Sequence, residues 1–284
     1  MKHLPCLGAA GLIVMVVLAS GAALAEVTEI AASVRGAIER HIGERDVLFY
    51  AIDIEDGSHF AYQPERASER HIPYSTFKIP NLIIALETGA ATSLEHRRPW
   101  DQQARPAASH WPKSWQQSQS LESAFKRSAM WYFQDVAIEV GGKRYRKFLR
   151  NFEYGNADVP DADDAFWLEG PLKISPEEQA LFMEKLVTES LKIRPSTLSA
   201  IREVSLIGGT SGYQLYGKTG SGPVVAGDFD GEFEGWLVGW VDRPDRAPVV
   251  YSLYVRGPRY GSIKGFRRQM SIRFLRSIGA VPEH

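Results

Sequence analysis

The feature that most constrains the fold is a turn-and-helix segment, Pro73-Tyr74-Ser75-Thr76-Phe77-Lys78, followed by an apolar run that ends at Gly89. The apolar positions of that run are Ile79, Leu82, Ile83 and Leu86. They recur at i, i+3, i+4 and i+7, which is the spacing of one buried helix face. Gly89 is a stop signal for such a helix. The segment therefore predicts a buried helix whose first turn carries Ser75 and Lys78.

Ser75 and Lys78 stand three residues apart, so a helical first turn places their side chains on one face. A serine hydroxyl is a weak nucleophile and needs an adjacent base. A lysine serves as that base only when it has lost its charge, and burial near Phe77 and Ile79 would remove it. The alternative is an N-cap serine followed by a surface lysine, because Ser-x-x-Lys is a common pattern. The pair is a candidate nucleophile and base.

Residues 1–25 have the pattern of a secretory signal peptide. Lys2 gives a positive start, Leu7 to Leu18 are apolar, and Ala23-Leu24-Ala25 is a small-residue cleavage site. The alternative is a membrane anchor, but the apolar core is short for a span. Cleavage would remove Cys6, the one cysteine of the sequence, and with it any disulfide. We expect one catalytic domain over residues 26–284, secreted or periplasmic, with no stable membrane insertion.

The charge balance and the histidine spacing limit the classes of ligand. The formal net charge is −1, which argues against a nucleic-acid partner. The seven histidines show no H-E-x-x-H or similar spacing, so we expect no catalytic metal.

Residues 212–219 match the phosphate-binding loop pattern G-x-x-x-x-G-K-T. That loop needs a preceding strand, a flexible interior and a following helix. Here the interior Tyr-Gln-Leu-Tyr has strand composition, and Gly220-Ser221-Gly222-Pro223 indicates a turn after it. We therefore do not expect a nucleotide-binding protein.

The predicted elements place strands at both ends of the chain and helices in the middle. Helices are predicted over Val27–Ile42, Leu121–Val140, Tyr145–Phe152, Ser175–Glu189 and Ile263–Ile278, and strands over Val47–Ile54, Ser58–Tyr62, Tyr213–Tyr216, Trp236–Val241 and Val249–Val255. Asp56-Gly57 is a strong hairpin signal between the first two strands. This order predicts an α+β fold, with an antiparallel sheet built from both chain ends, flanking helices and an inserted helical lobe. The sheet edge and the lobe would form a cleft.

Four short motifs occur in the order used by serine penicillin-recognising enzymes. They are Ser75-x-x-Lys78, Ser128-x-Met130, Tyr154-Gly-Asn156 and Lys218-Thr-Gly220, and Phe166 to Ser175 adds a longer local match. On these residues the chain closely resembles the class D (oxacillinase-type) β-lactamases over roughly residues 45–280. The resemblance implies a β-lactamase/transpeptidase-like fold and a small-molecule β-lactam substrate, hydrolysed through an acyl-enzyme.

The resemblance also implies roles for the reacting groups. Ser75 matches the acylated nucleophile, and Lys78 matches the lysine that carries an Nζ-carboxylate formed with CO2 and acts as general base. Ser128 matches the serine that relays a proton to the β-lactam nitrogen, with Lys218 beside it. Trp167 matches the tryptophan that holds the carboxylated lysine. Beyond that carbamate, no cofactor is expected.

Further residues are implied to bind the substrate or to surround the reacting groups. The substrate carboxylate is expected near Thr219 and Gly220, and it is expected to contact Arg267, with Arg268 as the alternative one step away. The oxyanion hole would consist of the backbone N–H groups of Ser75 and Ser221. Two further residues, Met130 and Tyr154, are expected just behind the reacting groups.

Two departures from the family pattern and two other functions remain open. Met130 stands where the family most often has valine, and it is longer and more flexible. Glu169 is a structural residue in this interpretation and is the next candidate base if Lys78 is not the base. The first other function is a β-lactam-sensing or transpeptidase-like protein that is acylated without turnover. The second is a non-enzymatic peptidoglycan-binding module.

Overall fold

A computed structural model describes residues 27–30 and 32–282. The centre of the molecule is a seven-stranded sheet. Its strands are β1 Val27–Glu29, β2 Asp46–Asp53, β3 Ser58–Tyr62, β6 Leu206–Thr210, β7 Tyr213–Pro223, β8 Phe233–Arg243 and β9 Arg246–Gly257, while β4 Arg97–Arg98 and β5 Gln119–Ser120 form a separate pair. The strand order is β1-β3-β2-β9-β8-β7-β6. Neighbouring strands are antiparallel except β1 and β3. The predicted sheet of both chain ends is confirmed, because β2 lies beside β9.

Helices cover both faces of this sheet. They are α1 Ala32–Ile42, α2 Lys78–Thr88, α3 Leu121–Arg127, α4 Met130–Val140, α5 Gly142–Phe152, α6 Pro176–Val187, α7 Pro195–Ser205, α8 Tyr260–Lys264 and α9 Phe266–Ser277. Alternate side chains of a strand point to opposite faces. Phe49 therefore stacks on Phe274 of α9, with ring centroids 4.5 Å apart, while Tyr50 lies in the core on the α6 side. Helices α2 to α7 lie between β3 and β6 in the chain. Helix α6 packs on the central strands of the sheet, and the other helices of this set form the predicted helical lobe. Within the described residues, every helix is too short or too polar to cross a lipid bilayer.

Helix α2 is the buried helix that the apolar spacing predicted. Ile79, Leu82, Ile83 and Leu86 are all buried. Burying each such side chain contributes about 1.5–3 kcal/mol, so this face ties α2 firmly into the core. Gly89 ends the helix at φ +81°, and its N–H donates to the carbonyl of Leu86. That left-handed conformation suits glycine and explains the stop signal.

Two predicted helices are wrong at specific residues. Val27–Ile42 is not one helix, because Val27–Glu29 pair in parallel with β3 and α1 begins only at Ala32. Leu121–Val140 is broken between α3 and α4, where Ser128 adopts φ +59° and donates its N–H to the carbonyls of the last turn of α3. A left-handed serine interrupts the helix without any glycine or proline to signal it.

The predictions around the C-terminal strands also need correction. Gly220-Ser221-Gly222-Pro223 is not a turn, since β7 stays paired with β8 as far as Pro223 and Phe233. The terminal helix is interrupted near Gly265, which separates α8 from α9. Helix α7 and strand β6 were not predicted. The Asp56-Gly57 hairpin is confirmed. The structure also shows a capping box at the start of α6, in which Ser175 and Glu178 cap each other. The predicted signal peptide lies outside the described residues and stays a prediction.

Candidate active site

Ser75 lies in a 3-10 turn, Tyr74–Phe77, that leads directly into α2, where Lys78 is the first residue. The Nζ of Lys78 donates a hydrogen bond of 3.0 Å to the Oγ of Ser75. Ser75 is partly exposed, whereas Lys78 has no exposed surface. The i, i+3 spacing thus brings a reachable hydroxyl against a buried amine, as expected.

The surroundings of Lys78 favour its neutral form. Burial, and to a lesser extent the positive charge of Lys218, hold the pKa of the Lys78 amine well below its usual value. Its Nζ lies 5.3 Å from the ring centroid of Phe133, and no carboxylate of the described residues forms an ion pair with it. An amine without its proton can accept one from a neighbouring hydroxyl or react with CO2.

A second hydroxyl–lysine pair faces the first. The Nζ of Lys218 donates to the Oγ of Ser128 and, at 3.1 Å, to the carbonyl of Thr219. The strained backbone of Ser128, at φ +59° and ψ +30°, places its hydroxyl at the junction of α3 and α4, facing β7. Burial, with a smaller effect from Arg267, lowers the pKa of Lys218 to about 7. Lys218 can therefore exchange a proton near neutral pH.

Strand β7 lies against the nucleophile turn. A Cβ added to Gly220 would lie 2.7 Å from the carbonyl oxygen of Pro73 and 3.1 Å from the amide nitrogen of Ser75. Only glycine allows this approach, which brings Thr219 and Ser221, on either side of Gly220, close to Ser75. Thr219 is exposed and Ser221 is partly exposed, so both can meet a ligand.

Arg267 and Arg268, adjacent in sequence, point to different places. The guanidinium of Arg267 is buried and donates to the carbonyl of Gly220. It forms no ion pair with a carboxylate of the described residues, and burial lowers its pKa. Arg268 is exposed and its guanidinium lies beside Gly208 on β6. The geometry thus places Arg267, and not Arg268, beside Lys218 and β7.

Trp167 is fully buried and stacks on Phe77, the residue before Lys78, with ring centroids 5.3 Å apart and an angle of 25° between the rings. Its Nε1–H has no hydrogen-bond partner among residues 27–30 and 32–282. A buried indole N–H usually finds an acceptor. An acceptor bound near Lys78 would satisfy it, so this orphaned donor fits the carbamate that the family resemblance implies.

The motif residues behind the site support the loops that carry these groups. Tyr154 is fully buried and its ring lies edge-on to Phe77, at 5.8 Å. Asn156 holds the segment that carries Trp167, through a hydrogen bond of 2.8 Å to the carbonyl of Pro171 and one of 3.0 Å from the amide of Lys173. The predicted end of this helix at Phe152 is confirmed, since α5 ends there and is followed by the left-handed residue Glu153, directly before Tyr154.

Met130 and Glu169, the two departures from the family pattern, differ in burial. Met130 is partly buried as the first residue of α4, two positions after Ser128. Glu169 is exposed, and its backbone N–H donates to Ala165. Residues 213–219, which match most of the phosphate-loop pattern, are extended strand in β7 and do not form a loop. No group of three or more His, Cys, Asp or Glu side chains among the described residues could hold a metal ion, and the expected absence of a metal stays a prediction.

Some residues that shape the site carried no signal in the sequence. Phe125 and Phe133 face the two lysines, with the Nζ of Lys218 5.7 Å from the ring centroid of Phe125. Their recurrence in apolar helix patterns marks them only as core. Tyr74 is buried directly before the nucleophile, and Glu234 accepts a hydrogen bond of 2.9 Å from it. Glu234 lies 160 positions from Tyr74, so no local pattern joins them.

Comparison with known proteins agrees with this geometry. The family model described as the penicillin binding protein transpeptidase domain matches residues 12–265. Beta-lactamase OXA-2 of Salmonella typhimurium is 33% identical over 229 residues, which cover 80% of this chain and 77% of that protein. The probable beta-lactamase YbxI of Bacillus subtilis is 32% identical over 204 residues, covering 72% of each chain.

Solved structures give the same result. The class D beta-lactamase YbXI from Nostoc superposes with a TM-score of 0.76 at 27% identity, over 85% of this chain and 98% of that one. The class D beta-lactamase from Sebaldella termitidis reaches a TM-score of 0.79 at 24% identity, over 91% and 99%, which shows the shared fold. The chain belongs to the penicillin-binding transpeptidase family and, within it, to the class D β-lactamases.

Proposed function

We propose that this protein hydrolyses the β-lactam amide of penicillins and related antibiotics through an acyl-enzyme on Ser75. The observation that carries the proposal is the hydrogen bond from Lys78 to the Oγ of Ser75. Lys78 is fully buried and forms no ion pair with an Asp or Glu side chain of the described residues. Such a pair supplies a nucleophile with a proton acceptor at its side. The relatives named as β-lactamases support the same reaction.

In acylation, the groups around Ser75 act one after another. The Oγ of Ser75 attacks the lactam carbonyl and gives up its proton on the Lys78 side. The backbone N–H groups of Ser75 and Ser221 stabilise the negative charge that develops on the carbonyl oxygen. The C–N bond of the lactam then breaks, and Ser128 delivers a proton to the nitrogen and recovers one from Lys218. Proton exchange with solvent restores Lys218 and the base at Lys78. Water then gives up a proton to that base as it attacks the ester, and the departing Oγ of Ser75 recovers this proton.

The carboxylate of the substrate has its own positive site. Arg267 reaches β7 from α9 through its hydrogen bond to the carbonyl of Gly220, and it is close enough to Lys218 that its charge affects the pKa of Lys218. Neither forms an ion pair with a carboxylate of the described residues, so their charge is available to an anionic ligand. Thr219, exposed between Lys218 and Gly220, would add a hydroxyl donor. This set favours a substrate that carries an acid group next to its amide.

Lys78 is proposed to carry a carbamate formed with CO2. The neutral amine that burial enforces is the form that reacts with CO2, and the unpaired Nε1–H of Trp167 supports the proposal as a donor that would hold the product. When present, the carbamate would supply an oxygen base for both acylation and deacylation. The surrounding protein has two roles. Phe77 and Phe133 exclude water from Lys78, and the fold orients the side chain of Lys78 toward Ser75.

Export is proposed from the sequence of residues 1–25. Its short positive start, apolar stretch and Ala-Leu-Ala end are those of a cleaved signal peptide. A secreted or periplasmic location would place the enzyme between the antibiotic and the cell-wall synthesis that the antibiotic blocks. N-terminal sequencing of the exported protein would test it, and a mature chain that still begins at Met1 would contradict it.

The test of the function is a chromogenic cephalosporin assay combined with intact-mass detection. The wild-type protein should turn the substrate over many times, and Ser75→Ala should be inactive and should not gain the mass of the drug. Ser199→Ala, on the exposed face of α7, is the matched control and should behave as wild type. A stable adduct without turnover would favour a β-lactam sensor, and no adduct at all would favour a non-enzymatic binding module.

A further inference from the structure

Tyr74, the residue directly before Ser75, is held in an unusual conformation. Its φ is +48°, in the left-handed region that non-glycine residues seldom adopt, and only 4% of its surface is exposed. Strain of this kind persists only where the surroundings impose it, and it collects at functional sites. The contacts of the Tyr74 side chain show what imposes it.

The ring of Tyr74 lies on the bare backbone of Gly222. A Cβ at Gly222 would lie 2.0 Å from the ring carbon Cε1, so no other residue fits there without moving the ring. Tyr74 is the residue before Ser75, and Gly222 is the residue after Ser221. This one contact therefore joins the two segments whose N–H groups are proposed to bind the carbonyl oxygen.

The hydroxyl of Tyr74 secures the same contact at its outer end. It donates to Oε1 of Glu234 at 2.9 Å and lies 3.2 Å from the carbonyl oxygen of Pro223. Glu234 is the β8 partner of Gly222, and its side chain is 12% exposed. Its other oxygen accepts a hydrogen bond of 2.7 Å from Tyr254 on β9. The carboxylate is thus fixed in the sheet and cannot follow Tyr74 if the turn shifts.

We propose that Tyr74 and Glu234 are positioning residues that set the separation between the N–H groups of Ser75 and Ser221. Glu234 acts through Tyr74, and Tyr74 acts through the strained turn that ends at Ser75. An oxyanion hole stabilises charge only when both donors are about 2.7–3.1 Å from the oxygen, so a small displacement of the turn weakens one of them. This inference rests on the proposed function, because it concerns the acyl-enzyme on Ser75.

The experiment measures hydrogen bonding to the acyl carbonyl. A penicillin labelled with 13C at the lactam carbonyl is mixed with the protein and freeze-quenched, and the infrared band of the ester carbonyl is recorded. Hydrogen bonds to a carbonyl lower its stretching frequency. In Tyr74→Phe the band should therefore move to higher frequency, and the acylation rate constant should fall about 10- to 100-fold. The substrate dissociation constant should change little, because Lys218 and Arg267 are intact.

Two further variants separate positioning from general support of the fold. Tyr251→Phe removes a buried hydroxyl that donates to the carbonyl of Tyr216 on the opposite face of the same sheet, and it should leave the band in place. In Glu234→Gln the two tyrosines compete for one carbonyl oxygen, so a smaller shift in the same direction is expected. In the double variant Tyr74→Phe/Glu234→Gln, the carbonyl band should shift no further, and the acylation rate constant should fall no lower, than in Tyr74→Phe alone. Both changes act on the same hydrogen bond between Tyr74 and Glu234.

The outcomes are distinct. An unchanged carbonyl band in Tyr74→Phe, or effects of the two changes that simply add, would overturn the positioning role while leaving Ser75 as the nucleophile. If the wild-type protein gives no ester band at Ser75, the proposed function itself fails and the inference fails with it. Thermal unfolding of Tyr74→Phe and Tyr251→Phe should show losses of similar size, so the spectroscopic difference is not a difference in folding.

Discussion

The indole N–H of Trp167 provides the sharpest test of how Lys78 becomes a base. Trp167→Phe keeps an aromatic ring against Phe77 but removes an N–H that has no partner among residues 27–30 and 32–282. If that N–H holds a carbamate on Lys78, its loss weakens the retention of CO2. If it is only an unsatisfied core group, its loss has no effect on CO2.

The size of the effect follows from the type of bond. A hydrogen bond to a charged group contributes about 1.5–3 kcal/mol. Because 1.4 kcal/mol is a factor of ten in a binding constant, Trp167→Phe should need roughly 10- to 150-fold more bicarbonate for half-maximal activity. In protein free of CO2, the same change removes a buried donor whose burial costs about 1–3 kcal/mol. Removing this unsatisfied N–H stabilises the CO2-free protein and offsets much of the lost packing. With bicarbonate the N–H would be bonded to the carbamate, so the variant should lose more stability with bicarbonate than without it.

The assay is turnover of a chromogenic cephalosporin in degassed buffer, titrated with bicarbonate. The wild-type protein should start slowly and gain activity as bicarbonate is added. The matched control is Trp240→Phe, because Trp240 is also buried, stacks on an aromatic ring and has an unpartnered indole N–H within the described residues. It should lose similar packing and keep the wild-type bicarbonate dependence.

Equal half-saturating bicarbonate concentrations in Trp167→Phe and the wild-type protein would refute this reasoning. A 13C NMR signal from labelled bicarbonate on Lys78 should accompany the activity. If turnover ignores bicarbonate and no carbamate signal is seen, Lys78 does not act through a carbamate and Glu169 becomes the next candidate base.

Three further predictions concern the substrate side of the site. In steady-state kinetics, Arg267→Ala should raise KM about tenfold or more with a smaller change in kcat. Arg268→Ala should change neither constant appreciably. The reverse ranking would assign the carboxylate site to Arg268. The pKa of Lys218, lowered to about 7, predicts that kcat/KM falls as pH rises through that region, because the neutral amine no longer attracts the substrate carboxylate. Bound carboxylate favours the charged amine, so the fall in kcat should occur at higher pH, and superimposable profiles would contradict this. Gly220→Ala should slow acylation and destabilise the protein by about 1–3 kcal/mol, because its Cβ would press on the main chain of the facing 3-10 turn. The control Gly261→Ala has open space around its Cβ and should be neutral in stopped-flow acylation and thermal unfolding.

Local patterns predicted the elements whose causes are local. The spacing of Ile79 to Leu86 specified α2, Asp56-Gly57 specified the first hairpin, and Ser75 and Lys78 meet because they are three residues apart. These interactions depend on neighbours along the chain, so the sequence displays them directly.

The missed features depend on tertiary contacts. The break at Ser128 has no glycine or proline to mark it, and the conformation suits a hydroxyl that must meet Lys218, 90 positions away. That pairing was expected only from the family resemblance. The extension of β7 through Gly222 is stabilised by pairing with β8 and by the ring of Tyr74, neither of which a composition rich in glycine suggests.

The most direct test of the mechanism locates the covalent bond during turnover. The wild-type protein is mixed with a penicillin, quenched in acid within the first turnovers, digested and mapped by mass spectrometry. The added mass of the intact drug should lie on the peptide that contains Ser75, appear before the first product and disappear when the substrate is exhausted. A drug adduct on another residue, or product formed at the wild-type rate by Ser75→Ala, would contradict the assignment of Ser75 as the nucleophile.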